Sequence, residues 1–368
     1  MSAAVPAVPH ARTPGWAIAV PLAACAVLGV ALLLPGSALL LPLVAAGLIG
    51  AVLVSVHHAE VVAHKVGEPF GTLVLALAVT VIEVGLVGSI MLSGADGAAT
   101  LARDTVFATV MIVCNGVVGI CLLVGSIRHA LPAFRVEGAS QALSVLIPMV
   151  TLTLVLPSFT TTTPGPMYSA SQMVFAGATC LLLYGVFVFV QTVRHRDYFL
   201  PVSTATTDAE VHASPPSGRT TAASVVLLVV ALVAVVGLAK VLAPRIEAAV
   251  DAISAPPAVV GVAIALLVLL PETGAAVRAA GRNRMQTSLN LALGSALATI
   301  GLTVPTVVGL SFITGVPLEL GLPPKEMVML ALTLLLTVVT LAGGRSTVLH
   351  GTVHLVIFGA FLFLAVVP

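Results

Sequence analysis

Charged residues are scarce in this sequence: Asp, Glu, Lys and Arg make up 8% of the 368 residues, whereas hydrophobic residues make up 59%. The mean hydropathy is +1.18. Soluble domains carry about 25% charged residues, so the composition excludes an ordinary soluble domain. It predicts a polytopic membrane protein whose main partner is the lipid bilayer. The net charge is +1, and the sequence shows no basic patch, so no nucleic-acid partner is expected.

Cysteine pairs and catalytic motifs are also missing. The four cysteines, Cys25, Cys114, Cys121 and Cys180, lie inside apolar runs without a CxxC pattern. This placement is typical of small packing residues, so we expect neither disulfides nor metal ligands from them. No suitably placed HExxH or GxSxG motif supports an intramembrane hydrolase. The sequence therefore predicts a protein that is not an enzyme and that needs no cofactor.

Long apolar runs are what the sequence has instead. A helix of about 20 apolar residues crosses a bilayer, and the whole chain would be filled by about eleven such spans with short loops. The resulting fold class is all-α. The predicted spans are 16–34, 38–57, 69–92, 104–127, 139–156, 171–193, 222–242, 256–278, 286–314, 323–342 and 347–366.

The positive charges predict the orientation of these spans. Lys and Arg concentrate in cytoplasmic loops. With the N-terminus in the cytoplasm and the C-terminus outside, most of the 15 Lys and Arg residues lie on the inner side. The exceptions are Arg103, Lys240, Arg245 and Lys325.

Two of the spans carry a lone glutamate. Glu83 lies near the middle of the third span and Glu272 on the eighth, and each is followed by x-Gly in a run that opens with proline. A charged side chain at the bilayer centre costs about 3 kcal/mol on insertion scales, so an ionisable residue there marks a transport pathway by default. The alternative is a tolerated polar contact in a helix bundle.

The spacing of the two glutamates predicts an inverted repeat. An odd number of crossings separates the third span from the eighth, so the two helices run in opposite directions. Inverted repeats place the substrate site near the midplane, at the repeat interface. We expect an N-terminal tail and extra helix (1–37), a first five-helix half (38–193), a flexible cytoplasmic linker (194–221) and a second five-helix half (222–368). The linker is interpreted as a plain tether, with metal sensing by His195 and His212 as the alternative.

Polar side chains line the same spans. Helical spacing puts Thr72, Thr80 and Glu83 on one face of the third span, and Asn115 follows on the fourth with Gly116 and Gly119. The ninth span carries a longer stripe. Its members are Ser288, Ser295, Thr299, Thr303 and Thr306. For single residues the alternative is ordinary hydrogen bonding between helices; as a set they predict a cavity lined with oxygen atoms.

Pro271 adds a free carbonyl to this cavity. Because proline has no backbone N–H, the carbonyl of Leu267 loses its helical partner. Carboxylates, carbonyls, hydroxyls and water form a hard oxygen site, which suits Ca²⁺ better than Mg²⁺ or a soft metal. Two neighbouring glutamates in low dielectric cannot both stay ionised without a cation. A divalent cation or protons must therefore discharge the site, which predicts exchange of metal for protons.

Both glutamate segments resemble a known family. The stretch from His58 to Glu83, with Glu-Pro-Phe-Gly-Thr-Leu and Thr-Val-Ile-Glu, resembles the first alpha repeat of the calcium/proton exchangers, in the cation/calcium exchanger superfamily. The stretch from Pro271 to Pro305, with Pro-Glu-Thr-Gly and Gly-Ser-Ala-Leu-Ala-Thr, resembles the second. The likeness is strongest to the bacterial ChaA-type branch, described as calcium/proton and sodium (potassium)/proton antiporters.

The resemblance implies an eleven-span antiporter in the bacterial inner membrane. Its paired glutamates, Glu83 and Glu272 here, would bind cation and proton in turn, and the serine of the family's second Gly-Ser element is Ser295. Glu60 and Glu68 fall on acidic positions where the family suggests proton access or gating. We therefore expect the transported species to be Ca²⁺ and H⁺. The predicted cation- and proton-binding groups are Glu83, Glu272, Thr80, Asn115, Ser295, Thr299 and the Leu267 carbonyl.

The chain also departs from the family pattern. Where the wider family has Gly-Asn before each glutamate, this sequence has Val79-Thr80 and Val268-Leu269. Thr80 is the polar substitute in the first repeat. Because of these departures, exchange of Na⁺ or K⁺ for H⁺ by the same fold stays an alternative function. A cation channel without proton coupling is the alternative from another class.

Histidines cluster at the inner end of the second span. His57, His58 and His64 accompany Lys65 there. One interpretation is that they are interfacial groups that extend to the membrane surface. The other is that His58 and His64 relay protons or sense cytoplasmic pH, because histidine titrates near neutrality.

Overall fold

The computed structural model describes residues 14–34, 37–67, 70–91, 98–201, 216–252, 256 and 258–367. Helices account for most of this part of the chain, and the β-pairing within it is limited to two isolated bridges, Ala133–Arg345 and Met167–Glu319. In the first half the α-helices are α1 (Gly15–Leu33), α2 (Leu41–Val66), α3 (Phe70–Met91), α4 (Ala98–Met111), α5 (Val118–His129), α6 (Val136–Val150) and α7 (Ala170–Phe189). In the second half they are α8 (Gly218–Ala252), α9 (Ala258–Gly281), α10 (Met285–Ala298), α11 (Val304–Thr314), α12 (Pro324–Leu341) and α13 (Val348–Val366).

These helices confirm the predicted all-α polytopic membrane fold. Among the described residues, 10 helical segments are long and apolar enough to cross a membrane. α3 covers the third predicted span with 22 residues, and its shorter apolar stretch is Leu77–Gly88. The order of segments therefore matches one extra helix followed by two sets of five.

Two predicted span ends were wrong. The second span was expected to end at residue 57, but α2 continues to Val66. The seventh was expected to end at residue 242, but α8 continues to Ala252 with Pro244 inside it. In both cases the extension carries polar residues that lie beyond the apolar run. Helix formation depends on backbone propensity as well as hydropathy, and Ala, Glu, Lys and Arg in these extensions favour a helix.

Local sequence explains several helix starts. Ser169 caps α7: its Oγ accepts from the Gln172 backbone N–H, and the Gln172 side chain accepts from the Ser169 N–H. Thr347 caps α13 by accepting from the His350 N–H. Such caps satisfy N–H groups that have no partner inside the helix.

The fourth and ninth spans share a feature near midlength, although π-helical segments also occur farther along the fifth and sixth spans, at Thr151–Val155 and Val190–Arg194. The candidate spans Ala99–His129 and Met285–Thr314 have 31 and 30 residues. Each contains a π-helical segment near its centre, Ile112–Val117 in one and Thr299–Thr303 in the other. A π-helical turn widens the helix and occurs often at functional sites. The fourth and ninth spans occupy equivalent places in the two five-helix sets, so the repeat is visible in backbone detail.

The described chain divides into two compact units. The first comprises Met1–Ala78 and Ser203–Leu238; in it α1 packs along α2, and Ala17, Val54 and Ala231 form a small buried cluster.

The second unit comprises Val79–Val202 and Ala239–Pro368. α9 packs against α4, α5 and α10 within it, α13 against α5, and α11 against α7. Gly261 brings α9 close to α4, because a Cβ there would lie 3.0 Å from Asp104 Cβ.

Candidate functional site

Glu83 lies in the part of α3 from Val79 onward, which belongs to the second unit. Its side chain is 2% exposed. Oε2 accepts a hydrogen bond of 2.9 Å from the Thr303 hydroxyl, and the Thr299 hydroxyl interacts with the same carboxyl group. Oε1 is buried and makes no hydrogen bond of ordinary geometry to a described residue. The carboxyl group thus lies among hydroxyls, with an oxygen atom directed into the protein interior.

The partners of Glu83 come from the π-helical segment of the ninth span. Thr299 and Thr303 begin and end that segment, and both are buried. The segment presents the two hydroxyls together to α3, which brings Glu83 and Thr299 into one site as the prediction requires. Thr303 was part of the predicted polar stripe but not of the predicted ligand set. The signal that could have included it is its position four residues after Thr299.

Glu272 lies on α9 next to Pro271, which is inside the helix. The residue is partly buried, and its Oε2 is buried. Proline cannot donate to the Leu267 carbonyl, and the role of that carbonyl in cation binding stays a prediction. α9 packs against α10 and against the π-helical segment Ile112–Val117. The second glutamate therefore lies on a helix that contacts both widened spans.

Two further predicted ligands are buried in the same unit. Thr80 precedes Glu83 by one turn of α3 and is buried. Ser295 lies on α10, one turn before Thr299, and its Oγ is buried without a hydrogen bond to the described residues. Both positions suit an oxygen-lined wall, and their role in binding stays a prediction.

Asn115 lies in a different polar cluster. Its Nδ2 donates to Thr333 Oγ1 at 2.8 Å, and its Oδ1 is 3.2 Å from His354 Nδ1. The structure therefore joins Asn115 to α12 and α13 rather than to Glu83. Sequence reasoning missed His354 and Thr333, because nothing in their local pattern distinguishes them from other polar residues in apolar helices.

The remaining stripe residues have separate surroundings. Thr306 is exposed, and its hydroxyl bonds the Leu302 carbonyl of its own helix. Ser288 is fully buried on α10. The predicted stripe therefore includes an exposed residue, Thr306. Its members Thr299 and Thr303 are the ones that contact the carboxyl group of Glu83.

The predicted gating residues belong to the first unit. His58 is fully buried, with Nε2 2.8 Å from the Ala17 carbonyl oxygen, so it does not extend to the membrane surface. Glu60 and His64 are exposed on α2. Glu68 and the side chain of Thr72 lie outside the described residues. The roles of Glu60, Glu68, His58 and His64 in gating stay predictions.

Comparison with known proteins identifies the family. The family described as "Sodium/calcium exchanger protein" matches residues 36–193 and 223–367. The chain belongs to this exchanger family. The family predicted from the glutamate segments is therefore confirmed.

Two relatives match most of the chain. A putative ionic transporter, y4hA, from Sinorhizobium fredii is 49% identical over 97% of this chain and 98% of its own length. The sodium-potassium/proton antiporter ChaA of Escherichia coli is 37% identical over 83% of each chain.

Solved structures confirm the fold of the exchanger family. The native YfkE structure superposes with a TM-score of 0.74 at 17% identity, covering 96% of this chain and 100% of that one. The H⁺/Ca²⁺ exchanger CAX gives a TM-score of 0.71 at 13% identity, covering 94% of this chain and 87% of that one.

Proposed function

We propose that this exchanger is a secondary active antiporter that moves Ca²⁺ out of the cytoplasm in exchange for external protons. The observation that carries the proposal is the buried Glu83 carboxyl group, which accepts from Thr303 at 2.9 Å. A carboxylate in the apolar interior needs a compensating charge. A proton supplies it in one state of the cycle and a cation in the other.

The chemistry of the surrounding groups supports a hard cation. The hydroxyls of Thr299 and Thr303 and the carboxyl groups of Glu83 and Glu272 offer only oxygen, which alkali and alkaline-earth ions prefer. Flexible oxygen sites of this kind suit Ca²⁺ better than Mg²⁺, which demands near-ideal octahedral geometry. The two glutamates lie on α3 and α9, one in each five-helix set, so rocking of the sets would expose the site to each side in turn.

A second candidate is Na⁺ or K⁺/H⁺ exchange at the same site. The relative from E. coli that carries the name sodium-potassium/proton antiporter covers most of this chain. The replacement of both Gly-Asn pairs by Val79-Thr80 and Val268-Leu269 removes two amide ligands, which weakens selection for a divalent ion.

Everted membrane vesicles test the proposal and separate the candidates. Respiration acidifies the vesicle interior, and addition of a transported cation then raises the interior pH because protons leave in exchange. We expect Ca²⁺ to produce this change at lower concentration than Na⁺ or K⁺. A response to Na⁺ and K⁺ alone would favour the second candidate. Cation uptake without proton movement would indicate a channel and overturn the proposal.

A further inference from the structure

A second buried polar cluster lies in the spans of the second unit, away from the Glu83 contacts described above. It consists of Asn115 from the π-helical segment of the fourth span, Thr333 and Thr340 from α12, and His354 from α13. All four are buried, and Asn115, Thr333 and His354 are 0% exposed. Polar residues in membrane spans are expensive and usually functional, so this group, named here the His354 cluster, requires an explanation.

Every polar side-chain group at the centre of the His354 cluster has a partner. With the Asn115 amide as oriented in the structure, Nδ2 donates to Thr333 at 2.8 Å and Oδ1 can only accept. A hydrogen bond at the 3.2 Å contact between His354 Nδ1 and Oδ1 therefore requires the tautomer with a proton on Nδ1, and the ring also interacts with the Cys114 backbone. In the neutral ring Nε2 then accepts from the Thr340 hydroxyl, at 3.1 Å. The cluster is a directed chain of hydrogen bonds that links three spans.

Close packing between helices positions His354 within this chain of hydrogen bonds. A Cβ on Gly119 would lie 3.0 Å from His354 Cβ, and a Cβ on Gly116 would lie 3.3 Å from the Phe358 ring. Glycine at these two positions therefore lets α13 approach the fourth span closely. The Asn115, Gly116 and Gly119 pattern, noted in the sequence, is explained by the fit of α13.

The His354 cluster ends on the widened segment of the fourth span. That segment, Ile112–Val117, packs against α9, which carries Glu272, and against α10, which leads into Thr299. The segment has the looser i→i+5 geometry of a π-helix, so its shape depends on tertiary contacts more than that of an α-helix does. A side chain that fixes Asn115 therefore fixes a segment that packs against α9 and α10.

We infer that His354 is a positioning residue of the transport site: it holds Asn115, and through it the segment Ile112–Val117, in the geometry that cation binding requires. The inference rests on the proposed cation exchange for its transport readout. It assigns His354 no direct contact with the cation.

The first test compares two amide substitutions at position 354. The side-chain nitrogen of asparagine occupies the place of histidine Nδ1, whereas that of glutamine occupies the place of Nε2. His354→Asn should therefore keep the bond to Asn115, and His354→Gln and His354→Phe should lose it. We expect the apparent KM for Ca²⁺ to rise on the order of tenfold in the Phe and Gln variants. It should stay within about twofold in the Asn variant, with similar maximal rates per protein molecule.

Thr352→Ala is the matched control on the same helix. Thr352 is exposed, and its hydroxyl donates to the Val348 carbonyl of its own helix, so the KM of the Thr352→Ala variant should equal that of the wild type. An unchanged KM in His354→Phe would overturn the inference. A KM in the Asn variant as high as that in the Gln variant would also overturn it. The same holds for a loss of transport that is fully explained by a lower amount of protein in the membrane.

The second test does not depend on transport. Cys114 precedes Asn115 and is fully buried, so its thiol reports on the segment Ile112–Val117. In a chain with Cys25, Cys121 and Cys180 changed to Ala, a membrane-permeant maleimide should label Cys114 faster in His354→Phe and at the original rate in His354→Asn. If His354→Phe is absent from membranes, Thr333→Val, which keeps the shape but removes the acceptor for Asn115, should produce the same faster labelling.

The two readouts separate failure of this inference from failure of the proposed function. Unchanged labelling of Cys114 in both His354→Phe and Thr333→Val overturns the inference whatever the transport result. A wild-type chain that moves no protons in response to any cation overturns the proposed exchange. Faster labelling of Cys114 in His354→Phe, with unchanged labelling in Thr333→Val, would still support the role of His354 in holding the segment.

Discussion

Glu83→Gln should weaken cation binding strongly while it changes the stability of the cation-free protein little, and a thermal shift can measure both effects. Glutamine has the shape of the glutamate side chain, and its amide oxygen can still accept from Thr303, which lies 2.9 Å from Oε2. What is lost is the negative charge. Truncating one partner of a buried charge pair costs roughly 2–5 kcal/mol. This corresponds to a loss of cation affinity of about thirtyfold to several thousandfold.

The stability of the cation-free variant depends on two opposing contributions. At a pH where Glu83 is ionised in the cation-free chain, removing its charge from the bilayer interior gains about 3 kcal/mol on insertion scales. The new amide N–H, placed where Oε1 makes no ordinary hydrogen bond, costs about 1–3 kcal/mol. We therefore expect the free energy of unfolding in detergent without cation to stay within about 2 kcal/mol of the wild type.

A thermal shift with and without Ca²⁺ measures both quantities. A ligand at a hundred times its Kd stabilises the native state by about 2.7 kcal/mol, so the wild type should unfold at a higher temperature with Ca²⁺ and Glu83→Gln should not. Glu137→Gln is the matched control, because Glu137 is exposed in the first turn of α6. A Glu83→Gln chain that keeps substantial cation-driven proton exchange in vesicles would refute the assignment of Glu83 as the shared binding group.

Two further predictions follow from specific contacts. Thr303→Val should slow exchange about tenfold or more, because a hydrogen bond to a charged group contributes about 1.5–3 kcal/mol and its loss makes the empty, charged site harder to reach. Thr303→Ser should restore most of the rate; equal rates in the Val and Ser variants would contradict the role of the hydroxyl. Gly261→Val should reduce the unfolding temperature and membrane yield by over-packing α9 against α4, at about 1–3 kcal/mol, whereas Gly185→Ala, which meets no neighbouring atom within 4 Å, should leave both unchanged.

The sequence alone singles out residues that conflict with their surroundings. Glu83 and Glu272 stand out because a carboxylate in an apolar span is costly wherever the rest of the chain lies. Pro271 stands out for a similar reason, because its missing N–H follows from covalent chemistry alone. The order of the spans followed from hydropathy, because the length of a membrane helix is set by the bilayer.

Partners distant in the chain could not be predicted in the same way. The bond from Thr303 to Glu83 joins residues 220 positions apart, and that between His354 and Asn115 joins residues 239 apart. A threonine stripe identifies a helix face but not the side chain opposite it. The π-helical segments, which direct Thr299, Thr303 and Asn115, have no local signature in the sequence. The buried environment of His58 could not be predicted either, since it depends on a contact with Ala17.

The two widened spans indicate how the repeat has become asymmetric. Thr299–Thr303 in the ninth span presents hydroxyls to the Glu83 carboxyl group, whereas Ile112–Val117 in the fourth presents Asn115 to His354. A π-helical turn frees side chains from the regular helical spacing, and the two copies have used that freedom toward different partners. If the fourth span is held by a histidine cluster and the ninth contributes hydroxyls directly, substitutions in the ninth should change proton and cation exchange together. Substitutions in the His354 cluster should instead act mainly on cation affinity.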